Sequence, residues 1–229
     1  MKNVTIAIDG PVGAGKSTIA RECAKKLGFI YVDTGALYRA LGVYFGENHV
    51  KNPDLSKITK IDLRFVDGLQ HVFINDTDYT DKIRTPEASM LASKISANGS
   101  VREFLLDFQR DFAKANSVVM DGRDIGTVVL PNADVKIFLT ADPHERAKRR
   151  FDELVSKGVL VGTDAEFEKV LSDLNERDHA DSTRQHAPLK QADDAIVVDT
   201  TDNSFEQSVT KMLETITRVS PRKAGSARL

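Results

Sequence analysis

The chain has 229 residues, 41% hydrophobic and 29% charged, enough to bury a real core with the balance of an ordinary globular domain. A formal net charge of −2 argues against a general nucleic-acid-binding surface, so any anion site must be a local cluster of basic residues. The single cysteine, Cys23, rules out an intrachain disulfide or a cysteine-rich zinc cage.

Val4 to Asp9 (VTIAID) is a short β-branched run ended by Gly10 and predicts a buried parallel strand. A helix is expected from Ser17 to about Leu27, with Ile19, Cys23 and Leu27 on one stripe and Gly28 as its stop. This makes Cys23 a small buried apolar residue. A short strand (Phe29 to Val32) and a helix (Gly35 to about Phe45) follow, and the alternation predicts an α/β sheet with both faces covered. The regularity breaks at 61-IDLRFVDGLQHVFIN-75, where two alternating runs flank Asp67-Gly68, an antiparallel hairpin inserted into the βαβ chain. Pro86 to about Ala97 and Val101 to about Ala115 read as two helices split by Asn98-Gly99. Strands are expected near 117–121 and 134–139, then a helix opened by Asp142 and Pro143. A helix from about Thr163 to Asp178, a strand from Ala195 to Asp199 and a helix from Ser204 to about Val219 complete the fold. The tail 220–229 has too little apolar content to pack and is expected to be disordered.

No run approaches the roughly 18 apolar residues of a membrane span. The segment MKNVTIAIDG lacks the long apolar stretch and cleavage site of a signal peptide, so a cytoplasmic protein with no membrane partner is expected.

Gly10-Pro11-Val12-Gly13-Ala14-Gly15-Lys16-Ser17 matches G-x-x-x-x-G-K-[ST] between a predicted strand and a predicted helix, the context the motif requires. Glycines let backbone N–H groups turn toward phosphate oxygens, and the helix N-terminus adds partial positive charge. Lys16 supplies a cation for the β and γ phosphates and the Ser17 hydroxyl can ligate Mg2+, which makes this a nucleoside-triphosphate site. A guanine switch would carry an N-K-x-D-type element after a later strand, and 132-NADV-135 is not one.

Phosphoryl transfer needs positive charge and positioning. Arg146, Arg149 and Arg150 share a face at the start of one helix, where the plain alternative is a solvated side paired with carboxylates such as Glu145. Arg177 and Arg184 follow in 176-ERDHADSTR-184, and the two arginine-bearing segments joined across Gly158 to Gly162 predict a closing lid that excludes water. On the acceptor side, Thr34 to Arg39 opens a helix where N–H groups and Arg39 suit a monophosphate, Arg102 begins another helix, and Ser93 lies in the helix before it. In 117-SVVMDGRDIGTVVLP-131, apolar runs flank Asp121, Gly122, Arg123 and Asp124, and charges so close to a core need partners or work.

Together IDGPVGAGKST, DTGALYR, IRTPE, VRE, DGRDIGTVV, KIFLTA, ERAKRR and RDHADSTRQHAPL resemble the bacterial cytidylate kinases, in order and spacing, over about residues 2–215. The 61–75 hairpin is similar to the insertion that separates these enzymes from shorter eukaryotic ones. The resemblance implies a P-loop nucleoside monophosphate kinase fold: a five-stranded parallel sheet flanked by helices, an inserted antiparallel β subdomain and a short helical lid. It implies one kinase domain over 1–219, with a core of about 1–34, 100–142 and 190–219, a monophosphate-binding region of about 35–99 and a lid of about 143–189. The implied reaction is Mg2+- and ATP-dependent phosphorylation of CMP and dCMP by a monomer. Carried over by position, Gly10 to Thr18 hold ATP, with Lys16, Arg150 and Arg177 on the transferring group. Arg39, Arg123 and Arg184 hold the acceptor phosphate, Ser93, Arg102 and Asp124 read cytosine, and Asp181 binds the sugar hydroxyls. Thr34 stands where many members have serine, a change that keeps the hydroxyl, and Asp121 is the candidate for organising the phosphate loop or a water on Mg2+. The rivals are another P-loop kinase, for UMP, AMP or shikimate, and a nucleotide switch without phosphoryl transfer.

Overall fold

The computed structural model describes residues 3–46, 49 and 51–220; of the tail expected to be disordered, all but Ser220 lies outside them. The parallel strands are β1 (Thr5–Asp9), β2 (Ile30–Asp33), β6 (Val118–Gly122), β7 (Val135–Thr140) and β8 (Ile196–Asp199). They form one sheet in the order β2-β6-β1-β7-β8. Both faces are covered, as the β-branched strand sequences require. Ile6 and Ile8 of β1, Val119 of β6 and Leu139 of β7 pack with α1 (Lys16–Leu27) and α7 (Phe205–Val219), where Cys23 is buried. Ala7, Val118 and Met120 pack with α2 (Thr34–Phe45), α3 (Pro86–Ser96) and α4 (Gly99–Ala115). Each buried Ile or Met contributes roughly 1.5–3 kcal/mol, which makes the sheet a rigid base for what its ends carry.

The parallel register sets Asp9 beside Gly122 and Asp33 beside Asp121, so three carboxylates gather at the carboxyl ends of β1, β2 and β6. That end is where open α/β sheets place their ligands.

The inserted hairpin is present as β3 (Ile61–Val66) and β4 (Leu69–Ile74), closed by Asp67 and Gly68 at φ 51° and 75°, as a type I′ turn requires. A short third strand, β5 (Thr77–Asp78), pairs with β4. Leu63, Val72 and Ile74 are buried in the same cluster as α2, so the insertion shares the main core.

Two boundaries differ from expectation for visible reasons. The two helices are split before Gly99 as expected, but α4 starts at Gly99 rather than Val101, because the Asn98 carboxamide caps it by accepting from the amides of Ser100 and Val101. The helix expected to end at Asp178 is α6 (Asp164–Thr183), which starts with a Thr163–Glu166 capping box and meets no breaker before Arg184. Asp142 and Pro143 open α5 (Pro143–Ser156) as predicted. The second apolar run of the 117–131 stretch forms a wide turn, with the Leu130 amide donating to the Ile125 carbonyl five residues back at 2.6 Å. Turns of this π type recur at functional sites.

Candidate active site

The loop between β1 and α1 leaves the strand at Gly10 with φ 149°, and a Cβ there would lie 1.9 Å from the Leu139 carbonyl oxygen, so no side chain fits. Gly13 and Gly15 take φ 75° and 81°, which turns successive N–H groups toward the loop's interior. Lys16 is buried, with Nζ donating to the Pro11 carbonyl at 2.6 Å. Burial and then Arg123 push its pKa well below the usual lysine value, against the pull of Asp121 and Asp9. Thr18 caps locally on the Gly15 carbonyl at 2.9 Å. The Ser17 hydroxyl donates to Asp121 Oδ2 at 2.9 Å, and Tyr31 donates to Oδ1 at 2.8 Å. Burial and Asp33 raise the Asp121 pKa, opposed by Lys16, Tyr31 and Ser17.

The loop is also gripped from α6. Asp178 accepts from the Val12 amide at 3.0 Å and from Arg146 at 2.5 Å, while Arg146 donates to the Val12 and Ala141 carbonyls. Arg146 is therefore a buried strut. Arg149, expected on the same face, donates to the Thr200 and Thr201 carbonyls at 2.6 and 3.0 Å. Arg150 stays partly exposed and pairs with Glu153 at 2.7 Å.

At the start of α2, Asp33 Oδ1 accepts from the Ala36 amide at 3.0 Å and Oδ2 pairs with Arg39 at 2.6 Å. The Thr34 hydroxyl donates to the Asp121 carbonyl at 2.8 Å, which ties β2 to β6.

The adjacent residues of the DGRD box diverge. Arg123 turns to Asp181 at 2.8 Å. Asp124 is buried against Arg102, with Arg184 Nη2 at 3.5 Å from its other oxygen. Arg102 also lies over the Tyr38 ring, 5.2 Å from its centroid. Tyr38 and Asp124 outweigh the burial of Arg102 and raise its pKa, while Arg123, Arg177 and Arg184 outweigh the burial of Asp181 and lower its pKa. The backbone after Asp124 hangs on Asp9, whose two oxygens accept from the amides of Ile125 and Gly126 at 2.7 Å each.

These groups line one cleft of about 570 Å³, within the range of nucleotide-sized pockets. Its lining holds eight cations, Lys16 and seven arginines, against five carboxylates, so a chain of net charge −2 concentrates positive charge here. Arg177 is held for an anion: its Nε is buried with no hydrogen-bond partner among the described residues. Burial, then Arg123 and Arg39, depress its pKa to about 10. A buried guanidinium with an unsatisfied Nε, only partly offset by Asp181 and Asp178, suits a site that receives a polyanion.

The cytidylate kinase family model matches residues 6–218. The chain belongs to the cytidylate kinase family. It is accordingly a nucleotide-binding phosphotransferase that acts on cytidylate. It is 50% identical to the cytidylate kinase of Caldicellulosiruptor bescii over 225 residues, 96% of this chain and 98% of that one. It is 49% identical to that of Carboxydothermus hydrogenoformans, over 93% and 97% of the two chains. Among solved structures, an uncharacterised protein from Eubacterium ventriosum superposes with a TM-score of 0.53 at 13% identity, over 96% and 100% of the two chains, a likeness of fold alone. All the site residues expected from the sequence except Gly10, Pro11 and Ala14 line this same cleft, and those three shape the phosphate loop beside it.

Asp9, Asp178 and Arg146 act through partners 116, 166 and 134 positions away, so helical spacing marks Arg146 without showing what it holds, and Asp9 reads only as the end of a strand. Asp121 and Asp124, by contrast, are marked by charge beside buried runs.

Proposed function

We propose that this cytidylate kinase transfers the γ-phosphoryl group of ATP to CMP and dCMP, with Mg2+, giving ADP and CDP or dCDP. The observation that carries this reading is that one cleft is lined by the phosphate loop, by Arg123 and Arg177, and by the buried Arg102–Asp124 pair. Cytosine offers an N4 amine donor. Asp124 accepts from that amine, and Arg102 with Ser93 donates to the ring acceptors. Arg39, Arg123 and Arg184 hold the acceptor phosphate, and Asp181, already on Arg123 and Arg184, orients a sugar hydroxyl with the same carboxylate.

The backbone amides of the loop and Lys16 hold the β and γ phosphates. An oxygen of the CMP phosphate attacks the γ phosphorus in line as the bond to the β-bridging oxygen breaks, and charge spreads over the transferring group. Arg177 and Arg150 neutralise that charge, Arg150 by exchanging Glu153 for phosphate. The two helices that bear them, joined by the link at 157–163, form the lid over a core of 1–34, 100–142 and 190–219, with 35–99 as the monophosphate region.

Mg2+ suits the residues present. The Ser17 hydroxyl and Asp121 carboxylate, 2.9 Å apart, are hard oxygen donors, and Mg2+ takes few protein ligands and leaves the rest to phosphates and water. When bound, it supplies further charge neutralisation at the phosphates.

A panel of acceptors with MgATP tests the reading: CMP, dCMP, UMP, AMP and shikimate. Turnover strongest with CMP or dCMP is expected, and preference for UMP, AMP or shikimate overturns it.

A further inference from the structure

We propose that the inserted β sheet is a positioning device for the acceptor-phosphate site, acting through Gln70. Gln70 lies on β4, and its carboxamide takes both backbone groups of Asp33. Its Oε1 accepts from the Asp33 amide at 2.8 Å, and its Nε2 donates to the Asp33 carbonyl at 3.0 Å. Asp33 is the last residue of β2, so without Gln70 the polar groups on both sides of its Cα lose their partner on that side.

Asp33 is the residue from which the acceptor corner is built. One oxygen caps α2 at Ala36 and the other holds Arg39 at 2.6 Å. With its backbone pinned at both polar groups, Asp33 can move only about its side-chain torsions, and the guanidinium of Arg39 inherits that fixity. A cation held in place before the ligand arrives loses less freedom on binding. The insertion is itself anchored, since Val72 and Ile74 of β4 are buried with α2, so the grip is on a rigid arm.

Glutamine is the side chain this task requires. A donor and an acceptor must be presented side by side. Glutamate, of the same length, would set a carboxylate oxygen against the Asp33 carbonyl and add negative charge beside the Asp33 carboxylate.

The inference rests on the assignment of the Arg39 corner to the acceptor phosphate, and the experiment separates the two. The wild-type acceptor panel is run first, and each variant is then measured with the monophosphate the wild type turns over best. Gln70→Ala is expected to raise KM for that acceptor roughly five- to thirtyfold, for two lost hydrogen bonds, with KM for ATP and kcat within about twofold. Gln70→Glu, which keeps the side chain's size and packing, is expected to behave like Gln70→Ala, and Thr77→Ala, exposed at the opposite end of the same sheet, like wild type. Hydrogen exchange at the Asp33 amide should quicken in both Gln70 variants. An acceptor KM within twofold of wild type in Gln70→Glu, or a parallel rise in KM for ATP, overturns the proposal. A wrong base assignment would change the panel and leave the variant-to-wild-type ratio standing.

Discussion

Asp9 Oδ2 accepts from the Gly126 amide at 2.7 Å, and this bond joins the strand that launches the phosphate loop to the turn that carries Asp124. The second oxygen takes the Ile125 amide, so one carboxylate fixes two successive N–H groups. Burial raises the Asp9 pKa from the usual 3.8 to about 6, and nearby Asp124 adds to the rise while the two amides and Lys16 oppose it.

Acceptor use should therefore weaken as pH falls through about 6, because a protonated carboxyl leaves one of the two amides facing an O–H. The stability effect has the opposite sign. A folded-state pKa above the unfolded value means the native state holds this proton more tightly, so the contribution of Asp9 to stability is greatest at low pH and is lost as pH rises through about 6. The phosphate of a nucleotide titrates in the same range, so the measurement is the ratio of wild type to Asp9→Asn in kcat/KM for CMP. About tenfold is expected near pH 7.5, for one unsatisfied buried N–H, converging toward one below pH 6. A ratio that stays constant between pH 5 and 8 would rule out this role.

How far the sequence carries the site is visible in this same corner. The phosphate loop was legible because it is local: glycines, lysine and serine at fixed spacing between a strand and a helix. Asp121 and Asp124 stood out as charges beside buried runs. Asp9, by contrast, reads as the end of a strand, because its partners lie 116 and 117 residues ahead and nothing in its neighbours encodes them. Arg146 shows the complementary failure. Helical spacing grouped it correctly with Arg149 and Arg150, but the face they share splits into a buried strut, a carbonyl clamp and a half-exposed pair once β8 and α6 pack around it. The hairpin was predicted from its turn, whereas the contact that gives it a role, Gln70 on Asp33, depends on where the whole sheet docks.

Lys16→Ala should cripple turnover with every acceptor, by about 10²-fold or more, because the charge it supplies at the phosphates belongs to the donor half of the cleft. Steady-state assays across the acceptor panel check this. Turnover unchanged with any good acceptor would refute the contact.

Arg177 offers a separation of activity from stability. Its folded pKa, depressed to about 10 by burial and by Arg123, means that its charge costs stability at neutral pH in the nucleotide-free protein. Arg177→Met keeps most of the stem and removes the charge. The expected result is a thermal midpoint no lower than wild type without nucleotide, with kcat reduced about 10²- to 10³-fold and KM values little changed. Scanning calorimetry and steady-state kinetics on the same preparation decide it, and a lower midpoint with unchanged kcat would contradict both halves.

The sharpest test of base reading is Asp124→Asn. A carboxylate can only accept, which suits the N4 amine of cytosine and repels a carbonyl oxygen at the same position, as uracil presents. A carboxamide of the same shape can turn its amino group toward that oxygen, so the preference for CMP over UMP should shrink by about tenfold or more, largely through better use of UMP. Asparagine also still fills the space between Arg102 and Arg184, which Asp124→Ala would leave facing an uncompensated gap, and that avoids the larger loss expected when one partner of a buried ion pair is deleted. KM for ATP should hold within about twofold, because Asp121 and not Asp124 touches Ser17. If instead ATP use falls first and the CMP-to-UMP ratio stays put, Asp124 belongs to the donor side of the cleft, and the base must be read by Arg102 and Ser93 without it.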